Sequence, residues 1–192
     1  QYVIDSDPLD DDVTAADVLD TAHRLDAEVA SLQDVYQDKD ATVDSLLRGL
    51  EVADDHAFDG TLLLPLQEPY VECWHELGEP ADEWLGIGGL KDGTPAERIQ
   101  ASHALRSAVG DGVRIHGFGW GVSGIAQEIR KNPGLLDSLD YSTPVQNSTH
   151  DKCSAGKERK SVVAMGAAQR LVRDLREVST YPDTEDTVQT SL

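Results

Sequence analysis

The chain has 192 residues and a formal net charge of −20, with 36 Asp and Glu against 16 Lys and Arg. That length suits one sizeable core and leaves little room for a second domain. No apolar window of about 18 residues occurs, and no basic-then-apolar leader opens the chain, so the expectation is a cytoplasmic protein with no membrane partner. Cys73 and Cys153 are far apart in sequence and read as reduced thiols rather than a disulfide framework.

The carboxylates are scattered through helical stretches such as "DDDVTAADVLDTAHRLDAE" rather than gathered in one tail. This pattern points to a high-salt cytoplasm, where the Debye length shrinks to about 3 Å at 1 M salt and self-repulsion is weak. The charge therefore does not exclude a nucleic-acid partner.

In chain order the first expected strand is "YVID" at 2–5. A helix follows over 13–26, with Val13, Ala16, Leu19, Ala22 and Leu25 on one face. "EVASLQ" (28–33) is the second strand, and the helix over 40–53 carries Val43, Leu46, Leu47 and Leu50. "TLLLPLQ" (61–67) is the third strand, with Cys73, Trp74 and His75 on the helix after it. "EWLGIG" (83–88) leads to a helix over 95–108, opened by Thr94 as N-cap, Pro95 at the first helical position and then Glu97. "VRIHGFG" (113–119) is the fifth strand, and Ile125 and Ile129 mark a helix over 122–130 that "KNPG" ends. "LDYST" (139–143) is the sixth strand. The longest expected helix covers 158–178, and the acidic end of the chain reads as solvated.

Continuously apolar strands alternating with helices argue for an α/β fold with a parallel sheet covered by helices. A repeat of roughly 25 to 35 residues suits a (β/α)8 TIM-like barrel of which about six of eight units are visible. An open doubly wound sheet is the competing arrangement. The chain opens at Gln1, without methionine, directly on a strand. The first two barrel units are therefore expected upstream, or from a homo-oligomer or other partner that covers the open sheet edges. The expected division is a barrel portion over 1–150, a basic helix packing on it over 151–180, and a flexible acidic tail over 181–192.

In parallel barrels the active site gathers at the carboxyl ends of the strands. Those ends offer Asp5 and Ser6, Gln33 and Asp34, Gln67, then Gly88, Gly89 and Leu90, "HGFG" (116–119), and Asp140. The bare backbone at Gly88 and Gly89 would let a planar ligand lie against the main chain. Taken in order, these residues resemble the tRNA-guanine transglycosylase family. "GIGGL" (86–90) is similar to the family's base-contacting glycine-glycine-leucine segment, and "IDSDP" (4–8) to its aspartate-serine element. "LQDVY" (32–36), "LLLPLQ" ending in Gln67, and "DYSTP" (140–144) resemble its base-reading aspartate, base-binding glutamine and nucleophile segment.

The resemblance implies Asp140 as nucleophile and Asp5 as the proton-transfer group, with Ser6, Asp34, Gln67, Gly88, Gly89 and Leu90 holding the base. Three departures are visible. Asp7, Pro8 and Leu9 replace the family's two glycines and phenylalanine, and Val145 and Gln146 replace its threonine and arginine. Only His150 and Cys153 stand where the family has a four-ligand zinc site, and two ligands cannot close one, so no metal or cofactor is expected. The resemblance is therefore closer to the divergent branch that inserts 7-deazaguanine bases into DNA, with tRNA the less favoured substrate. The only clear cationic cluster, Lys152, Lys157, Arg159 and Lys160, is the candidate for phosphate contact. His116 could line the pocket or be satisfied by backbone, Trp120 could stack on a base or pack in the core or rim, and His103 reads as helix surface. The competing function is a transglycosylase-like binding or assembly subunit without chemistry; retention of both Asp5 and Asp140 speaks against it.

Overall fold

The computed structural model describes residues 3–4, 13–90, 92–120 and 125–140. All of them belong to one compact unit, Gln1–Tyr141. Asp5, Ser6, the helix expected over 158–178, the acidic tail and the cluster of Lys152, Lys157, Arg159 and Lys160 lie outside the described residues.

Strands and helices alternate without exception: β1 (Val3–Ile4), α1 (Ala15–Arg24), β2 (Val29–Ser31), α2 (Lys39–Asp54), β3 (Thr61–Leu66), α3 (Tyr70–Glu76), β4 (Trp84–Ile87), α4 (Pro95–Val109), β5 (Ile115–Gly117), α5 (Ile125–Lys131) and β6 (Ser138–Leu139). The helices start where the caps place them. At α4, Thr94 accepts the Glu97 N–H while Glu97 reaches back to the Thr94 N–H at 2.7 Å, a closed capping box with Pro95 just inside it. Thr14 and Asp17 close the same box at α1. Asp38 caps α2 by accepting the Ala41 N–H at 3.0 Å.

The six strands form one parallel sheet in the order β1-β2-β3-β4-β5-β6. Each strand pairs only with its predecessor and successor in the chain, as in Leu64 opposite Leu85 and Gly86 opposite His116. A doubly wound sheet reverses its strand order at a switch point, and no reversal occurs here. The result is a curled, half-barrel-like sheet with a helix after each of its first five strands.

Alternation along the strands divides the apolar residues between two faces. Ala30, Leu32, Leu62, Leu64, Leu66, Leu85, Ile87 and Ile115 pack toward helix residues such as Leu19, Leu46, Cys73 and Leu105. Val29, Leu63 and Trp84, with Phe118 against them, form a smaller cluster on the opposite face. β3 is buried along both faces except at its first residue, which explains why its sequence is apolar without a break.

The observed strands are shorter than the sequence runs. "EVASLQ" keeps ladder pairing only over Val29–Ser31, and "VRIHGFG" only over Ile115–Gly117. The Leu32 and Phe118 N–H groups still bond Leu63 O and Ile87 O, so each run carries one hydrogen bond past its last paired residue. β6 begins at Ser138, one residue before the expected start.

Candidate functional site at the strand ends

Asp34, Gln67, Gly88, Gly119 and Asp140 each lie just past the carboxyl end of successive strands, so the sheet order itself sets them side by side. Gln67, the first residue after β3, is buried at 1% exposure. Its Nε2 donates to Asp34 Oδ2 at 2.5 Å, and its Oε1 accepts the Gln37 N–H at 3.0 Å. A carboxylate can only accept and a backbone N–H only donate, so both partners fix which way the carboxamide faces.

This carboxamide lies on the glycines of the strand after it. A Cβ placed at Gly88 would stand 2.7 Å from Gln67 Nε2 and 3.4 Å from Asp34 Oδ2. One placed at Gly89, whose φ is +71°, would collide with Gln67 Oε1. The bare main chain expected to take a planar ligand therefore already carries a planar group, the Gln67 amide. Gly88 has both of its backbone groups engaged: its N–H donates to Leu66 O at 3.0 Å, and its carbonyl accepts the Tyr70 hydroxyl at 2.8 Å. Burial pushes the Tyr70 phenol well above its ordinary range, so it stays a neutral donor. Gly89 is partly exposed, and its carbonyl is reached by Gln37 Nε2 at a long 3.5 Å. Leu90 packs against the core on the helix side and anchors the loop.

Asp140 follows β6. Its carboxylate accepts the Gly119 and Trp120 backbone N–H groups, and its own N–H donates to Gly117 O at 3.2 Å. Burial raises the Asp140 carboxyl above its ordinary value, opposed by those two donors and by the nearby Arg98 charge. Asp34 is likewise raised by burial, opposed by its bond from Gln67. The strand ends thus hold two half-buried carboxylates, one beside a carboxamide and one beside a guanidinium.

Arg98 supplies that guanidinium from the first turn of α4 and is fully buried. Its Nε donates to Gly93 O at 3.2 Å and its Nη1 to Gly119 O at 2.9 Å. Burial lowers its pKa, while Tyr70, Asp140, Asp92 and Glu97 act in the opposite direction. Sequence reading did not find Arg98, Tyr70 or Gln37. For Arg98 a signal existed: with Ile99, Ser102 and Leu105 it marks out one helical face, and all four are buried.

Other residues resolve simply. His116 is buried and its Nδ1 lies 2.8 Å from Ser138 Oγ, so its partner is a side chain on the adjacent strand rather than the expected backbone. Burial lowers its pKa to about 4, which keeps it neutral. Trp120 is fully buried in the core, which removes it as an exposed stacking surface. His103 is exposed on α4 and bonds Asn132 Oδ1 at 3.0 Å. Among the described residues no group of three His, Cys, Asp or Glu is placed to hold a metal ion, and no helix is long and apolar enough to cross a membrane. A hollow of about 330 Å³ at the opposite, amino ends of the strands is lined by Glu28, Asp82, Glu83, Trp84 and Arg114, away from these groups.

Fold and site together define an α/β protein whose polar groups converge on the carboxyl edge of a sequentially ordered parallel sheet. Compared with protein-family models and with curated proteins, the chain matches none of them.

Proposed function

We propose that the protein is a guanine transglycosylase that exchanges guanine for a 7-deazaguanine base in nucleic acid, DNA in preference to tRNA. The sheet in this reading is the larger part of a (β/α)8 barrel whose remaining units lie outside this chain or come from a partner. The observation that carries the reading is the Asp34–Gln67 pair seated on Gly88 and Gly89. It brings a carboxamide and a carboxylate together at the carboxyl ends of the strands, donor and acceptor groups of the kind that suit the edge of a guanine-like base. The arrangement also suits a base by exchange: the bonds that Gln67 makes to Asp34 and Gln37 are of the kind a bound base would replace.

Asp140 supplies the covalent step. Its carboxylate attacks C1′ of the target nucleotide, the bond to the guanine nitrogen breaks, and that nitrogen takes a proton from Asp5. Asp5 then takes a proton from the incoming base, whose nitrogen attacks C1′ and releases the Asp140 carboxylate. Asp5 carries this role by resemblance. The target nucleotide must leave its stack to reach the strand ends, at a few kcal/mol. The cluster of Lys152, Lys157, Arg159 and Lys160 is proposed to meet the phosphates.

The test is incorporation of radiolabelled 7-deazaguanine into duplex DNA or tRNA at high salt, with Asp140→Ala and Asp5→Ala alongside. Label should enter DNA and fall by at least about 1000-fold in the Asp140 variant, the scale on which loss of a nucleophile is felt. Transfer at the parental rate by Asp140→Ala would remove the mechanism. Binding of nucleic acid with no label transfer by the parental protein would favour an assembly subunit.

A further inference from the structure

The mechanism needs the Asp140 carboxylate held ionised and aimed, yet burial works against its charge. Two of the three groups that counter this, the Trp120 N–H and the Arg98 charge, trace back to one side chain. Arg98 Nη1 donates to the carbonyl of Gly119 at 2.9 Å. That carbonyl belongs to the same peptide group as the Trp120 N–H, and the Trp120 N–H donates to Asp140. A donor on the oxygen of a peptide polarises its N–H, so the two bonds reinforce each other. The neighbouring Gly119 N–H also bonds the carboxylate. The turn that aims both amides at Asp140 runs through Gly119 at φ +65°, a conformation that glycine adopts without strain.

The other branch of the guanidinium runs to the preceding strand end. Arg98 Nε donates to Gly93 O at 3.2 Å, and the Gly93 N–H closes a turn onto Leu90 O at 2.9 Å. One fully buried arginine thereby joins the loop after β4, which carries Gly88 to Leu90, to the loop after β5, which cradles Asp140. A planar fork can serve two carbonyls at fixed separation, whereas a lysine ammonium offers a single point.

We infer that Arg98 is the positioning residue of this site: it locks the base-facing loop and the Gly117–Trp120 loop in register and keeps the Asp140 carboxylate ionised and aimed through the Gly119–Trp120 peptide. The inference rests on the reading of Asp140 as the reacting group. Arg98 itself touches neither base nor sugar. Among the described residues, the groups facing this pair are the neutral Tyr70 hydroxyl from α3 and the charged Asp92 from the loop after β4 and Glu97 from α4's own first turn. Among the described residues, Arg98 is the one charge that acts on Asp140.

The experiment follows the Asp140 carboxyl directly, by 13C NMR titration of the full chain, in the parental protein, Arg98→Gln and Arg98→Lys. Removing the guanidinium leaves burial less opposed, so the Asp140 midpoint moves to higher pH in Arg98→Gln and stays near the parental value in Arg98→Lys. In both variants the Trp120 amide exchanges with solvent faster, because the fork no longer pins its peptide. The acid limb of base transfer shifts upward with the midpoint in Arg98→Gln, and kcat falls on the order of 100-fold with KM little changed. A folded Arg98→Gln protein with the parental Asp140 midpoint overturns the inference. If that variant does not fold, parental amide protection in Arg98→Lys overturns it equally. A midpoint that moves in a protein without transfer activity upholds Arg98 and removes the transglycosylase reading; an active protein whose midpoint stays put does the reverse.

Discussion

At the scale of single residues, the strand ends trade stability for placed charge. Asp34 and Asp140 both have pKa values raised by burial, so ionising them costs the folded state more than the unfolded chain. The folded protein therefore binds more protons than the unfolded one between the ordinary carboxylate pKa and the raised value, and stability falls as pH rises through that window. Asp34→Asn keeps an acceptor for Gln67 and removes the buried charge. It should stabilise the fold at neutral pH by about 1 kcal/mol while abolishing base binding. Thermal denaturation across pH checks the first part, with the variant showing a shallower slope than the parental protein in that window, the remainder belonging to Asp140. Calorimetric titration with a 7-deazaguanine checks the second. In the parental protein, affinity should weaken as pH falls through the raised Asp34 value, because protonation turns one carboxyl oxygen into a donor that faces the donors of a guanine-like edge.

At the scale of elements, the strands and helices were legible because each is written locally. Leu62, Leu63, Leu64 and Leu66 declare a strand buried on both faces, and Thr94, Pro95 and Glu97 announce the start of α4 one residue at a time. Leu64→Ala should cost about 3 kcal/mol, since Leu64 is fully buried between sheet and helices and its neighbours cannot close the gap. Thr94→Ala should cost about 1 kcal/mol by opening the capping box. Urea denaturation of both variants checks the ranking, and a Thr94 effect equal to that of Leu64 would contradict it. The site was legible only in part. Asp34, Gln67 and Gly88 could be placed because strand ends in a parallel sheet share an edge whatever the detail. The covering of Gly88 by the Gln67 amide, and the two-way reach of Arg98, depend on side-chain directions between elements remote in sequence, which no local pattern encodes. The strand runs also overstated the ladder, because apolar residues such as Phe118 continue past the last paired residue to cover the sheet's smaller cluster.

At the scale of the whole molecule, a charge of −20 on 192 residues sets the conditions under which any of this operates. Even a basic side chain is used sparingly: Lys39 Nζ lies within 4 Å of Asp40, Glu72 and Glu76 at 2.8, 3.4 and 2.5 Å, gathering α2 and α3 around one cation. Repulsion among the remaining carboxylates is long-ranged in dilute buffer and screened in concentrated salt. The melting temperature should therefore rise by several degrees between about 0.1 M and about 2 M KCl, by circular dichroism. A melting temperature that falls or stays level would refute the high-salt reading. The strand order bears on how such a chain is made. Because each strand pairs with the ones immediately before and after it, a polypeptide emerging from the ribosome can lay every new strand against the one just completed. Among the described strands, each one after β1 finds its first partner already made, and a nascent chain this heavily charged can assemble by accretion rather than by a late collapse.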